Sequence, residues 1–373
     1  MKRLLSFLSC VAVLSGCTGG GSSDGTDPIK VGYLGPLTGE ATSYGMDTLN
    51  GVKIAVEDIN AEGGINGRKI ELIAEDGRCT GTDAAGAAQK LIHVDKVSVI
   101  IGGQCSGETL AAAPIAEAAK VVMMSPLSSS PDVTNAGDFI FRDYPNDALK
   151  TKAMANYFKE KGYTRVVLIT ENTDFAMAFR NSLKENTGAD NFVLDEVVEP
   201  GTKDYRSLLT RLKGKEFDVF FPNGQTSATV AAMIEQFREQ GFLQPMVSHD
   251  VAQDKSLLDL APKASKGMHA INVPEVSVDS AFGSKFLSKF GDAQASLAFA
   301  AHAHDAMRVL AAAMKEVGTD SMKIRDYLYA LKGHDGVVGR FRFDKNGDVV
   351  GIPYVLYEVK DGAWGKVADI PVD

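Results

Sequence analysis

The sequence predicts an α/β fold made of two successive lobes, each built on a parallel sheet. Three observations carry that reading. Short β-branched apolar runs alternate with longer amphipathic ones along nearly the whole chain, the pattern of βα units whose strands are covered on both faces. The alternation begins afresh after "DFIFRDYPNDA", so two similar halves follow one another. At 373 residues, the chain is long enough for two domains.

The elements follow in order. "IKVGYLGPL", from Ile29, is the first strand. In "YGMDTLNGVKIAVEDINAEGG" the residues Val52, Ala55, Val56 and Ile59 recur at spacings of three and four, one apolar face of a helix. "KIELIAED" is a strand and "TDAAGAAQKLIHVD" a helix, with Thr82 or Asp83 as the expected cap. "VSVIIGG" then runs into an Ala- and Glu-rich helix from Gly107, and "VVMMSP" is the next strand. The seam between that strand and helix carries Cys105 and Ser106. Free N–H groups and the positive end of a helix dipole make such a seam a seat for an anion. A serine there also serves as a plain helix cap, and the turn alone leaves both readings open.

In the second half, "LKTKAMANYFKEKG", "FAMAFRNSLKENTG", "YRSLLTRLKGKE" and "TVAAMIEQFREQG" read as helices. "RVVLITEN", "FVLDEVVEP", "DVFFPNG" and "PMVSHD" read as strands between them. "GMHAINV" precedes long Ala-rich helices from about Ser284 to Met314, and the β-rich tail begins at "GRFRFDKNGDVVG". Ligands of open α/β sheets bind beyond the carboxyl ends of the strands. With two such lobes, the cleft between those ends is the expected site.

The N-terminus has Lys2 and Arg3, an apolar stretch of about ten residues, and then Leu14-Ser15-Gly16-Cys17. Residues 1–16 read as a secretory signal peptide, too short for a membrane span of roughly 20 residues. The Leu-Ser-Gly-Cys ending resembles a bacterial lipobox, which implies lipidation of Cys17 and a membrane-anchored periplasmic or cell-surface protein. Residues 17–28, Gly- and Ser-rich, suit a flexible tether. Processing removes Cys10 and acylates Cys17, which leaves Cys79 and Cys105 in an oxidising compartment and predicts a disulfide between them. A formal charge of −9 argues against nucleic acid as a partner.

Enzyme signatures are missing. The chain has no Gly-x-Ser-x-Gly elbow, no Gly-Lys-Ser/Thr phosphate loop and no His-Glu-x-x-His. His302 and His304 diverge by about 200° on a helix and cannot chelate one ion; they read as surface or interface histidines. "DKNGDVVG" from Asp344 lacks the glycine and glutamate positions of a calcium loop and reads as a hairpin turn. His249-Asp250 follows a strand but has no nucleophile or metal to work with. No cofactor and no metal are expected.

"IKVGYLGPLTG", "NGVKIAVEDINAEGGINGRKIELIAED" and "MMSPLSSSPDVT" resemble the type I periplasmic binding proteins, and among them the branched-chain amino acid (Leu/Ile/Val) receptors of ATP-driven uptake systems. The resemblance runs from Ile29 to about Val367. It implies two Rossmann-like lobes joined by three crossovers, the first holding 29–147 and 275–347, the second 148–274 and 348–371. It also implies a function: capture of an amino acid in the cleft and delivery to a membrane-embedded ABC permease. A sensor module of the same fold, reading amides or amino acids for a signalling partner, is the other use.

The resemblance assigns site roles as well. Ser106 donates to the ligand carboxylate, Ser129 adds its N–H and hydroxyl, and Ser128 offers its carbonyl to the ammonium. Asp250 pairs with the ammonium; read from the residues alone, it is a helix cap in preference to a ligand residue. Tyr44 closes the side-chain pocket. Phe175 stands where these receptors often carry Tyr, and Gln225 and Thr226 stand where aromatics are frequent. The expected pocket is therefore more polar on its second-lobe side than a leucine receptor needs.

Overall fold

The computed structural model describes residues 27–370. The signal-peptide reading of 1–16, the lipidation site Cys17 and most of the tether lie outside the described residues. Among the described residues, no helix is long and apolar enough to cross a membrane.

The chain enters through β1 (Ile29–Gly35), α1 (Thr42–Ala61), β2 (Ile70–Asp76), α2 (Gly81–Gln89), β3 (Val99–Gly102), α3 (Ser106–Ala119), β4 (Val122–Ser125) and β5 (Ile140–Arg142). The five strands form one parallel sheet in the order β2-β1-β3-β4-β5. β3 and β4 are buried at every residue, which is why they read as unbroken apolar runs and not as alternating ones.

The first crossover, 143–146, leads to α4 (Asp147–Lys161), β6 (Val166–Glu171), α5 (Asp174–Thr187), β7 (Phe192–Val198), α6 (Arg206–Thr210), β8 (Val219–Asn223), α7 (Ser227–Glu239), β9 (Val247–His249), α8 (Lys255–Leu260) and β10 (His269–Asn272). A second crossover, 273–280, returns to α9 (Ala281–Phe290), α10 (Leu297–Val317), α11 (Ser321–Ala330), β11 (His334–Gly336), β12 (Gly339–Phe343) and β13 (Val349–Val350). A third, 351–353, goes out again to β14 (Tyr354–Lys360) and β15 (Ala363–Ile370). In the second sheet β7-β6-β8 are parallel, and a bridge at Phe220 and Met246 joins them to β9-β10-β14-β15. β14 and β15 run antiparallel. The small meander β11-β12-β13 lies beside β5, bridged at Arg142 and Asp348.

Helix α10 packs on α1 within the first lobe. A Cβ at Gly51 would stand 1.9 Å from the Ala300 carbonyl oxygen, so only glycine permits that approach. Stacked aromatic pairs pack on both faces of the second sheet, Phe220 on Phe237 at 4.6 Å and Phe179 on Phe221 at 5.5 Å.

Several local expectations give way. Thr80, not Thr82 or Asp83, caps α2, because its extended backbone lets Oγ1 accept the Asp83 N–H. "YRSLLTRLKGKE" forms only one helical turn and a half before unwinding into turns. The Ala-rich stretch forms helices as expected, α9 and α10, with α9 ending at Gly291 with φ +77°. His302 is buried against Tyr144 and Asp143 and not on the surface. The turn from Asp344 does form the expected hairpin between β12 and β13, with Asp344 accepting the N–H groups of Asn346 and Asp348.

Candidate functional site

The carboxyl ends of strands from both sheets converge on one cavity of about 380 Å3, part of it open to solvent. Six of the expected ligand residues line it: Tyr44, Ser106, Ser129, Phe175, Gln225 and Asp250, with Cys105 beside them. Ser106 is the first residue of α3 and Ser129 follows β4. Gln225 follows β8, and Asp250 is the residue after β9. Leu127, Val251 and Phe299 add apolar wall, and Gln104 adds an amide whose Oε1 is buried without a hydrogen-bond partner.

Local structure explains the seam at Ser106. Gly102 has φ +147°, and a Cβ there would meet the Leu34 carbonyl oxygen at 2.1 Å, so glycine lets β3 leave the sheet sharply. Beyond it, the buried Glu108 carboxylate accepts the N–H groups of Gln104 (2.8 Å), Cys105 (3.0 Å) and Cys79 (2.9 Å). The Cys79–Cys105 disulfide fastens the same loop to the end of β2, with Cα atoms 5.3 Å apart. The loop is thereby braced from two directions, which fixes the N-terminus of α3 at the cavity wall, where Cys105 and Ser106 line it. The Ser106 hydroxyl accepts the Ser130 N–H at 3.2 Å, so its own hydrogen is free to donate.

Ser128 and Thr226 do not line the cavity. The Ser128 hydroxyl is turned inward to Thr109 (2.7 Å) and the Gly103 carbonyl (3.0 Å), and its own carbonyl accepts from Arg142 at 3.3 Å. Thr226 caps α7 through the Thr229 N–H. Ser129 faces the cavity, but its hydroxyl donates to Asp147 Oδ2 at 2.8 Å.

Asp250 caps nothing. Its Oδ2 accepts from the Tyr144 hydroxyl at 2.8 Å and lies 3.0 Å from Lys150 Nζ. Lys150 Nζ is also 2.8 Å from Asp147 Oδ1, and Asp147 and Lys150 are fully buried. Burial alone would push the Asp250 carboxyl up, but the Lys150 ammonium beside it outweighs burial and holds it well below the usual carboxylate range. Burial would likewise lower Lys150, yet the two carboxylates beside it raise it. Tyr44 closes the cavity across the two lobes, its hydroxyl accepting the Ser227 N–H at 3.3 Å.

Lys150, Asp147 and Tyr144 were not singled out from the sequence. "DALK" reads as an ordinary i,i+3 surface pair on the first turn of a helix, yet Lys150 points inward while the neighbouring Leu149 is 44% exposed. Phe299 is hidden by a uniformly Ala-rich helix. Among the described residues, no group of three or more His, Cys, Asp or Glu side chains could hold a metal.

A family model described as "Periplasmic binding protein" matches residues 28–363. The chain is 28% identical over 359 residues to an amino acid binding protein of Pseudomonas aeruginosa, covering 92% of each. A branched-chain amino acid transporter substrate-binding protein of Streptococcus pneumoniae, solved with isoleucine, superposes with a TM-score of 0.81 at 28% identity, covering 91% of this chain and 100% of that one. A solute-binding protein of an R. palustris ABC transporter, solved with benzoate, also has a TM-score of 0.81 at 20% identity, covering 93% of this chain and 97% of that one. This last likeness is one of fold.

Proposed function

The chain belongs to the periplasmic binding protein family, and from that premise we propose that it is an extracytoplasmic receptor that closes on an amino acid between its two lobes. In this reading the first lobe comprises 29–147 and 275–347, and the second 148–274 and 348–371. The observation that carries it is the polarity of the cavity. One wall is a helix N-terminus with the free Ser106 hydroxyl, suited to a carboxylate. The opposite wall is the Asp250 carboxylate, suited to an ammonium. Tyr44, Phe175, Phe299, Leu127 and Val251 take the side chain, with Gln225 as its polar contact.

Binding would shift an open–closed equilibrium, and a membrane-embedded ABC permease would receive the ligand from the closed form. Lipid on Cys17 would keep the receptor at the membrane surface; mass spectrometry of the mature N-terminus tests that part. The ligand reading is tested by thermal-shift measurements across the common amino acids, on protein unfolded and refolded to strip any retained ligand. A true ligand at 100 times its Kd adds about 2.7 kcal/mol. No shift with any amino acid would remove the reading.

A further inference from the structure

Resting on that amino-acid reading, we infer that Lys150 is a specificity-determining residue. It is a resident counter-ion for Asp250 that lets the cleft accept carboxylates lacking an α-ammonium group. A buried carboxylate needs a counter-charge. In a cleft whose only cation arrives with the ligand, the acid has to meet water whenever the cleft is empty. Asp250 is only 4% exposed, and its cation comes from its own chain.

Lys150 is itself held in place. Asp147 Oδ1 lies 2.8 Å from Nζ, and the ammonium stands 5.6 Å and 5.9 Å from the ring centroids of Tyr144 and Tyr354. Asp147 in turn takes the Ser129 hydroxyl and lies in the first turn of α4, where the helix dipole favours an anion. The Asp250 oxygen left over is Oδ1, which has no hydrogen-bond donor; its ring neighbour is His249 Nδ1 at 3.3 Å. The Asn223 amide nitrogen donates to Thr170 and to the Ala176 carbonyl, so its oxygen must accept from His249 Nε2 at 3.0 Å. Nδ1 is therefore the ring nitrogen left toward the acid.

A ligand ammonium at this wall thus meets an acid that is already paired. The carboxylate end at Ser106 and the apolar wall at Tyr44, Phe175 and Phe299 do not depend on that ammonium. Losing it should cost the protein little while Lys150 stays.

The test is titration calorimetry at pH 8 on the refolded chain with two matched pairs: leucine against 4-methylpentanoate, and phenylalanine against 3-phenylpropanoate. Each pair yields a ratio of dissociation constants, deaminated over amino acid. The ratio in Lys150→Gln should be at least about ten times that of the wild type, because only an ammonium can then pair Asp250. In the double variant Lys150→Met with Asp250→Asn, which carries neither charge, the ratio should be no larger than in the wild type. The double variant keeps the test readable if Lys150→Gln fails to fold. A Lys150→Gln ratio within tenfold of the wild type overturns the inference. So does a double-variant ratio above the wild type, or a wild type that binds the amino acids but neither deaminated partner. Binding of none of the four compounds would remove the amino-acid reading itself, and this inference with it.

Discussion

Arg142 Nε lies 2.7 Å from Asp348 Oδ1, and the arginine is completely buried. The pair joins the end of β5 to the approach to the third crossover. The same guanidinium donates to the carbonyls of Ser130 (2.7 Å) and Ser128 (3.3 Å) and to Thr134 Oγ1 (2.8 Å). It therefore holds the carbonyls on both sides of Ser129 and points that loop at the cavity. Arg142→Met should lower stability by about 3–5 kcal/mol, because it strands a buried carboxylate and two carbonyls. Arg142→Lys should lie between, since an ammonium cannot serve the same fork of acceptors. Urea denaturation with an unchanged m-value reads the difference; a loss below 1 kcal/mol for the methionine variant would contradict the assignment.

The Cys79–Cys105 bridge spans a sequence separation of 26. Closing a loop of that size restricts the unfolded chain by about 3–4 kcal/mol. The double serine variant should lose roughly that much in urea denaturation. Its ligand affinity should fall by less than about tenfold, because Glu108 still accepts the N–H groups on both sides of the removed bridge. An affinity loss much larger than this in calorimetry would mean that the disulfide, and not Glu108, shapes the loop.

The parallel strands were legible because burial on both faces writes a continuous apolar run, as at β3 and β4. The wall residues at strand ends were legible through the family resemblance, which pointed to Ser106, Ser129 and Asp250. What stayed hidden was how those side chains are paired. Lys150 sits three residues after Asp147, a spacing that on most helices is a solvated pair, and only the packing of α4 beneath the crossovers turns it inward. His302 was hidden for a similar reason: a histidine in an Ala-rich helix carries no sign of which face is buried. Ser128 and Ser129 are adjacent and chemically identical, and the direction of the chain after β4 alone turns one hydroxyl inward to Gly103 and the other toward Asp147.

The two serines that line the cavity should therefore behave differently. The hydrogen of Ser106 is free, so Ser106→Ala should weaken ligand binding by about 1–3 kcal/mol, while the empty protein loses about 1 kcal/mol because the buried Ser130 N–H is left without its acceptor. The hydrogen of Ser129 is committed to Asp147. Ser129→Ala should lower the stability of the empty protein by about 1–2 kcal/mol and disturb binding chiefly through the Asp147–Lys150 pair. Calorimetry and denaturation on the same preparations separate the two patterns. Equal effects of both substitutions on binding, with no effect of either on stability, would refute the distinction.

The last expectation concerns pH. Asp143 follows β5 on the first crossover, fully buried, with both carboxylate oxygens lacking a hydrogen-bond donor and His302 Nδ1 at 3.8 Å. Burial raises its carboxyl to about 6 from an ordinary 3.8; His302 opposes that rise, and Asp305 adds to it. Between those two values the native protein binds more protons at this group than the unfolded chain does, so its contribution to stability falls as pH rises and levels off above the native value. Asparagine mimics the protonated form and cannot ionise. Asp143→Asn should therefore match the wild type near pH 4 and exceed it at pH 7.5 by up to about 3 kcal/mol. Urea denaturation of both proteins from pH 4 to pH 8 measures the gap directly. A variant that is instead less stable at pH 7.5 would mean that attraction between the Asp143 carboxylate and His302 outweighs the cost of its burial, and the sign of the pH dependence at this position would reverse.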